Sequence, residues 1–200
     1  MSEKPILFSG EMIRAILDGR KTITRRVIKP LALERPEWIA SQRRWNVVHR
    51  PDGLGRLVLC PYGQPGDRLW VKEVWTLWSN ATDWYTVSYA AEAEVDGATV
   101  TIHPVKCERD LRVLQSRGVK SARFMPREFS RITLEVTGVR VERAQEITDM
   151  DARAEGVDCR LTFSALWDTI NQARGFGWDM NPWCWCISFR RIERGNEEVS

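Results

Sequence analysis

The sequence predicts an α+β protein with a mainly antiparallel, barrel-like sheet. The first observation is the order of the predicted elements, which runs as one helix, many short strands, two helices and a closing strand. The second is the turn signals between strands, such as Pro51-Asp52-Gly53 and Asp96-Gly97. The third is composition, because 200 residues with 43% hydrophobic and 28% charged side chains suffice for one globular core.

The first half of the chain begins with a helix and continues in strands. Apolar residues at helical spacing predict a helix over residues 10–18, with Ser9 as its N-cap and Gly19 at its end. Residues 22–28 then form a short β-rich segment. Further strands are predicted over residues 45–49 and 56–60, which form a hairpin, and over residues 68–75, 84–90 and 99–102.

The second half contains one long strand, two helices and the closing strand. Residues 131–143 alternate between apolar and polar side chains, and Gly138 indicates a β-bulge. Thr148 begins a capping box, and Gly156 ends the short helix that follows it. The remaining elements are a longer helix over residues 163–173 and a strand over residues 181–192, whose aromatic residues share one face and whose cysteines share the other.

Composition disfavours several classes of protein. No apolar run approaches the roughly 18 residues that cross a bilayer, and the N-terminus lacks the apolar stretch of a signal peptide, so we expect a cytoplasmic protein with no membrane partner. The five cysteines are odd in number and irregularly spaced, which argues against a disulfide framework. No CxxC pair, Gly-rich phosphate loop, GxSxG or HExxH motif is present, so we expect no metal site and no cofactor.

The charge is concentrated in two segments. Residues 105–131 contain eight basic and three acidic residues, whereas the whole chain has 30 basic and 27 acidic residues. A second basic cluster comprises Arg20, Lys21, Arg25, Arg26 and Lys29. Basic patches on a nearly neutral protein indicate an anionic partner such as phosphate groups, and they are equally typical of a solvated loop without a partner.

The stretch Gly19–Arg26, with the sequence GRKTITRR, combines a potential base, a hydroxyl and several cations. A threonine hydroxyl is a poor nucleophile unless a neighbour removes its proton, and Lys21 can serve Thr24 in this way if burial and nearby cations lower its pKa. In a regular strand the two side chains would point to opposite faces, so the pairing requires a turn or bulge. A basic edge strand is the alternative interpretation.

Glu155 stands in the last turn of the predicted short helix, where a carboxylate opposes the helix dipole. A locally unfavourable residue sometimes marks a functional site. The alternative interpretation of Glu155 is an ordinary surface glutamate.

The chain resembles the ASCH domain family of the PUA-like superfamily. The landmarks are the GRKTITRR stretch, Gly66-Asp67 at the start of a strand, residues 152–156 (ARAEG) and residues 187–190 (ISFR). Residues 60–63 (CPYG), 125–127 (MPR) and 181–183 (NPW) resemble ASCH proteins of bacteriophages and prophages, which would place this protein in the cytoplasm of a bacterial host.

The resemblance implies a PUA-like β-barrel with peripheral helices and inserted loops. A single domain would cover residues 1–192, with insertions at about 30–65 and 76–130 and a polar tail at 193–200. The cleft of such a domain suits RNA or a modified nucleoside. The basic part of the second insertion would either close over a nucleoside or hold a longer nucleic acid.

One branch of the family hydrolyses the acetyl amide of 4-acetylcytidine, and its catalytic residues match Lys21, Thr24 and Glu155 here. The resemblance implies that Thr24 attacks the carbonyl, Lys21 transfers the proton, Glu155 orients Lys21 or a water, and Arg26 steadies the oxyanion or the base. Neither a metal nor a cofactor is implied. The alternatives are a non-catalytic nucleic-acid-binding module and a ribonuclease. The residues expected to bind substrate or nucleic acid are Arg20, Arg25, Arg26, Arg123 and Arg127.

Overall fold

A five-stranded sheet forms the centre of the protein in the computed structural model, which describes residues 2–29, 36–39, 44–47, 56–79, 85–91 and 118–192. The helices are α1 (Gly10–Leu17), α2 (Asp149–Ala154) and α3 (Arg160–Asn171). The strands are β1 (Glu3–Leu7), β2 (Ile23–Val27), β3 (Pro36–Ile39), β4 (Arg44–Val47), β5 (Arg56–Val58), β6 (Arg68–Lys72), β7 (Trp75–Ser79), β8 (Tyr85–Tyr89), β9 (Thr133–Arg143) and β10 (Trp183–Ile192).

The central sheet has the order β1-β6-β9-β10-β2. The β1–β6 pair is parallel and the other three pairs are antiparallel. The predicted α+β class with a mainly antiparallel sheet is therefore confirmed. Separate small sheets, β3-β4-β5 and β7-β8, lie almost wholly within the two predicted insertions. The predicted strand at 99–102, residues 105–117 and the tail at 193–200 lie outside the described residues.

The described strands do not close into the barrel that was predicted. Strands β1 and β2 are the two edges of the central sheet, and no backbone ladder joins them. A side chain bridges this gap instead, because Nη2 of Arg26 donates to the carbonyl oxygen of Leu7 at 2.6 Å. Closure of a barrel requires paired edge strands, so the described sheet is open.

Strand β10 is buried on both faces, which the alternation of its side chains predicts. Trp185 and Ile187 lie in one apolar core together with Ile13 of α1. Cys184 and Cys186 face the other side and pack in a second core with residues of α2 and α3. The sheet is thus sandwiched between α1 on one face and the C-terminal helices on the other.

The predicted bulge at Gly138 is confirmed. Ser188 of β10 pairs with Gly138, whereas the next residue, Phe189, pairs with Val136, so Thr137 is the extra residue on β9. The bulge lies beside the core part of β10 and increases the local twist of the two longest strands.

Two helix ends position the chain segments that carry the site. Gly19 ends α1 with φ of 75°, and Gly156 follows α2 with φ of 90°, both in the left-handed region that favours glycine. The hydroxyl of Thr148 accepts from the backbone N–H of Asp151 at 3.1 Å and caps α2, as predicted. Ser9 occupies the N-cap position of α1 but makes no capping hydrogen bond with its side chain. None of the described helices is long and apolar enough to cross a membrane.

Candidate active-site cavity

A cavity of about 320 Å³ opens between β2, the end of β1, the start of α1, and α3. Part of its lining is apolar and aromatic and includes Phe8, Phe163, Leu166 and Trp167. The inner wall carries Lys21, Thr24 and Glu155, the three residues predicted as a triad. All three side chains therefore line one cavity.

Lys21 reaches the cavity because it precedes β2 instead of belonging to it. After the turn at Gly19, the backbone N–H of Lys21 donates to the carbonyl of Ala15 at 2.9 Å, and the N–H of Thr22 donates to that of Ala154 at 2.8 Å. These two bonds fix the chain between α1 and α2 before the ladder with β10 begins. Lys21 therefore precedes the regular strand, so the alternation of strand side chains does not apply to it, and Lys21 and Thr24 both line the cavity.

The ammonium group of Lys21 is fully engaged by oxygen acceptors. Its Nζ donates to Oε2 of Glu155 at 2.6 Å, to the carbonyl oxygen of Glu155 at 2.8 Å and to that of Ile23 at 2.9 Å. An ammonium has three N–H donors, and all three are used here. The Lys21 and Glu155 side chains are 1% and 6% exposed, so this is a buried ion pair.

Burial lowers the pKa of Lys21 below its ordinary value of 10.5, because water no longer stabilises the charged form. The attraction and hydrogen bond of Glu155 act in the opposite direction, and the positive charges of Arg26 and Arg25 lower the pKa further. The balance makes the neutral amine of Lys21 more accessible than that of a solvated lysine.

Glu155 follows α2 as its C-cap residue. A carboxylate at this end of a helix opposes the dipole, and cations offset that cost here. Besides Lys21, Nη1 of Arg25 lies 3.7 Å from Oε1 of Glu155. The described residues offer no hydrogen-bond partner to this Oε1, nor to Nη1 and Nε of Arg25 or Nε of Arg26. Buried polar atoms of this kind are expected to bind water or a ligand.

Thr24 lies in the middle of β2, opposite Ile187 of β10, and is 4% exposed. The pleat of the strand places Thr24 and Arg26 on the same side of β2, and both residues line the cavity. The guanidinium carbon of Arg26 lies 5.0 Å from the centre of the Phe8 ring and 6.0 Å from that of Tyr62. The site therefore combines a hydroxyl, an ammonium, a carboxylate and a guanidinium beside aromatic rings.

Arg25, predicted to bind substrate or nucleic acid, lines the cavity and is held by two carboxylates. Its Nη2 donates to Asp151 at 2.8 Å and to Glu142 at 2.9 Å, and its side chain is 0% exposed. These two carboxylates already compensate its charge. Arg25 lines the cavity beside Glu155, with its Nη1 at 3.7 Å from Oε1 of that residue.

Three other residues predicted to bind substrate or nucleic acid do not line the cavity. Arg20 is exposed and paired with Asp18 at 2.8 Å. Arg127 is paired with Glu3 at 2.9 Å, and Arg123 lies exposed on a 3-10 turn, Ala122–Phe124. The described part of the basic segment, 118–131, packs along β1 and β6 and contributes no side chain to the lining.

Sequence reasoning missed several residues of the cavity. Tyr62 belongs to the CPYG stretch and Lys29 to the basic cluster, but neither was assigned to the site. Asn171 and Arg174, near the end of α3, carry no sequence signal of a site. Only the packing of α3 against β2 brings them to the cavity.

Comparisons with known proteins find little similarity. No protein-family model matches this sequence, and no curated protein matches it. Among solved structures, protein EF3133 from Enterococcus faecalis V583, described under the family model DUF984, is similar with a TM-score of 0.43 and 10% sequence identity. That match covers 100% of this chain and 86% of the other, and at this level it carries no functional argument.

Proposed function

We propose that this protein is a PUA-like, ASCH-type amidohydrolase that removes the acetyl group from N4-acetylated cytosine nucleosides. One observation carries the proposal: the buried Lys21–Glu155 pair, at 2.6 Å, lines the same cavity as the hydroxyl of Thr24. Nucleophile, base and orienting carboxylate are the parts that acyl transfer requires. A cytoplasmic location in a bacterial host and a phage origin stay predictions from the sequence.

The proposed reaction begins with Thr24. Its hydroxyl oxygen attacks the acetyl carbonyl carbon while the neutral amine of Lys21 takes the hydroxyl proton. The guanidinium of Arg26, which shares the face of Thr24, steadies the oxyanion. Lys21 then protonates the departing exocyclic nitrogen of cytosine, the amide C–N bond breaks, and water hydrolyses the acetyl ester left on Thr24.

Glu155 has a specific part in this sequence. The Lys21 ammonium has no lone pair for the Thr24 proton while it is charged, and its three N–H groups all donate to oxygen acceptors. Loss of one proton gives the amine, and the lowered pKa favours this loss. The carboxylate then keeps the amine oriented through the bond to Oε2.

The dimensions and walls of the cavity suit one nucleobase. Its volume of about 320 Å³ is at the lower end of the usual range for small-molecule sites, roughly 300–1,000 Å³. Aromatic side chains on its walls, Phe8, Tyr62 and Trp167, offer flat surfaces for a pyrimidine ring. Because the described basic segment, 118–131, lies elsewhere, this site does not favour a nuclease that follows a nucleic-acid strand.

A non-catalytic nucleoside-binding site is the second candidate. The three hydrogen bonds of the Lys21 ammonium favour this candidate, because a purely structural ion pair would also have all its N–H donors bound. Both candidates predict nucleoside binding, and only the first predicts turnover.

The test incubates purified protein with 4-acetylcytidine and follows cytidine release by chromatography. The Thr24→Ala variant should lose at least about 10²-fold in kcat/KM. Thr22→Ala is the matched control, because Thr22 is exposed and absent from the cavity lining, and it should retain full activity. Binding of 4-acetylcytidine without turnover in the unaltered protein would establish the second candidate, and the absence of both would reject both.

A further inference from the structure

Three cations lie along the open side of the cavity. Lys29 and Arg174 are exposed and Arg26 is half-buried, whereas Lys21 and Glu155 on the inner wall are buried. Within the described residues, no carboxylate lies within salt-bridge distance of any of these three cations. Among the described residues, the opening therefore carries a local excess of positive charge that no ion pair neutralises.

Arg174 is held in place at this opening. Its Nη1 donates to Oδ1 of Asn171 at 3.3 Å, and the buried Asn171 in turn donates from Nδ2 to the carbonyl of Trp167 at 3.2 Å. The guanidinium is thus tied to α3 through a side chain that also lines the cavity. A cation anchored in this way loses less conformational freedom when an anion binds.

Arg26 and Arg174 are close enough for their positive charges to disfavour one another. Burial lowers the pKa of the Arg26 guanidinium, and the positive charge of Arg174 lowers it further, against the raising effects of Tyr62 and Glu155. Like charges assembled beside a cavity are costly without a counter-ion, and a bound anion would relieve that cost. Nη2 of Arg26 donates to the carbonyl oxygen of Leu7, but its Nε has no hydrogen-bond partner among the described residues.

We propose that the opening binds the phosphate of a nucleotide, so that the substrate is N4-acetylcytidine 5′-monophosphate and not the free nucleoside. This inference rests on the proposed function, which supplies the acetylated base at the inner wall. Arg174 and Lys29 would contact the phosphate dianion, and Arg26 would stay at the acetyl group, as in the proposed reaction. Guanidinium groups match phosphate oxygens in geometry as well as charge.

The size of the site favours a single nucleotide over a strand. A cavity of about 320 Å³ has room for one small-molecule ligand. Two of the described arginines predicted to contact nucleic acid, Arg20 and Arg127, are paired with carboxylates. The third, Arg123, does not line the cavity, so none of these three arginines extends the group of cations at the opening.

The test compares kcat/KM for 4-acetylcytidine and for its 5′-monophosphate at low salt. The nucleotide should be preferred by about tenfold or more, and the preference should shrink as salt increases. Arg174→Gln and Lys29→Gln should each lower kcat/KM about tenfold for the nucleotide and less than twofold for the nucleoside. Arg190→Gln is the matched control, since it removes one positive charge from an exposed pair with Glu135 outside the cavity.

The outcomes separate this inference from the proposed function. Equal kcat/KM for the two compounds, or a preference unchanged by Arg174→Gln, would overturn the phosphate site and leave the amidohydrolase standing. Faster deacetylation of a short RNA with internal 4-acetylcytidine would overturn the assignment to a mononucleotide. If neither compound is hydrolysed, titration calorimetry compares the affinities for cytidine and cytidine 5′-monophosphate and so tests the phosphate site without the reaction. Equal affinities would reject the phosphate site.

Discussion

Removing the charge of Glu155 tests the buried pair at the centre of the site. In Glu155→Gln the amide can still accept a hydrogen bond from Lys21, but the ammonium loses its counter-ion. At 2.6 Å and an effective dielectric constant of about 20, the gross attraction between the two charges is about 6 kcal/mol. Much of it offsets desolvation, and removal of one partner from a buried pair costs about 3–5 kcal/mol.

The measurement is urea unfolding at pH 7 together with the Tm. For a chain of this size, about 2–4 °C is lost per kcal/mol, so the Tm should fall by roughly 6–20 °C. Glu135→Gln is the matched control, because it breaks a pair of similar length, 2.7 Å, whose arginine is 69% exposed. That variant should lose at most about 1 kcal/mol.

A double-mutant cycle separates the interaction energy between Lys21 and Glu155 from the other effects of each substitution. Lys21→Met alone leaves a buried carboxylate without its ammonium, and the combination with Glu155→Gln leaves neither charge. The double variant should therefore be less destabilised than the sum of the single variants, by about 0.5–3 kcal/mol. A loss of less than about 0.5 kcal/mol in Glu155→Gln, equal to that of Glu135→Gln, would refute the claim that this ion pair holds α2 against the segment before β2.

Three further predictions concern pH and backbone geometry. Because the proposed reaction needs the neutral amine of Lys21, kcat should increase with pH and level off above a lysine pKa that is lower than 10.5. A rate that still increases with pH beyond 10.5 would contradict this role. Burial raises the pKa of Asp151, but the hydrogen bond and charge of Arg25 outweigh it and hold that pKa below 3.8. Its stabilising effect should thus be complete above pH 3.8 and lost at lower pH, so Asp151→Asn should flatten the acid limb of stability measured by urea unfolding. Gly156→Ala should destabilise more than Gly175→Ala, as judged by Tm, because both glycines have positive φ but only the Cβ added at 156 would meet another Cβ at 2.9 Å; equal losses would show that this contact relaxes freely.

The features that the sequence predicted correctly are governed by local chemistry. Gly19 and Gly156 end helices because a residue without Cβ adopts positive φ at little cost. The two faces of β10 follow from strict alternation of aromatic residues and cysteines, which needs no knowledge of the rest of the fold. The bulge at Gly138 was indicated by a glycine within a strongly β-forming run.

The features that were missed depend on contacts between distant segments. Whether a sheet closes depends on the pairing of its edges, and no pattern within β1 or β2 encodes that pairing. Arg174 reaches the cavity through the packing of α3, which leaves no local signal. The pairing of Arg20 was visible in principle, because Asp18 stands two residues before it. The approach of Lys21 to Glu155, 134 residues later, was expected from a family resemblance and not from spacing.

The charged side chains at the cavity wall belong to a connected network of ion pairs. Glu155 is compensated by Lys21 and Arg25, and Arg25 is compensated in turn by Asp151 and Glu142. A buried network of this kind seldom stabilises a protein more than apolar side chains of the same volume would. What apolar packing could not supply is an amine of lowered pKa in a fixed position at the cavity wall. The proposed proton transfer from Thr24 would make use of such an amine, and perturbed pKa values of this kind are common at functional sites.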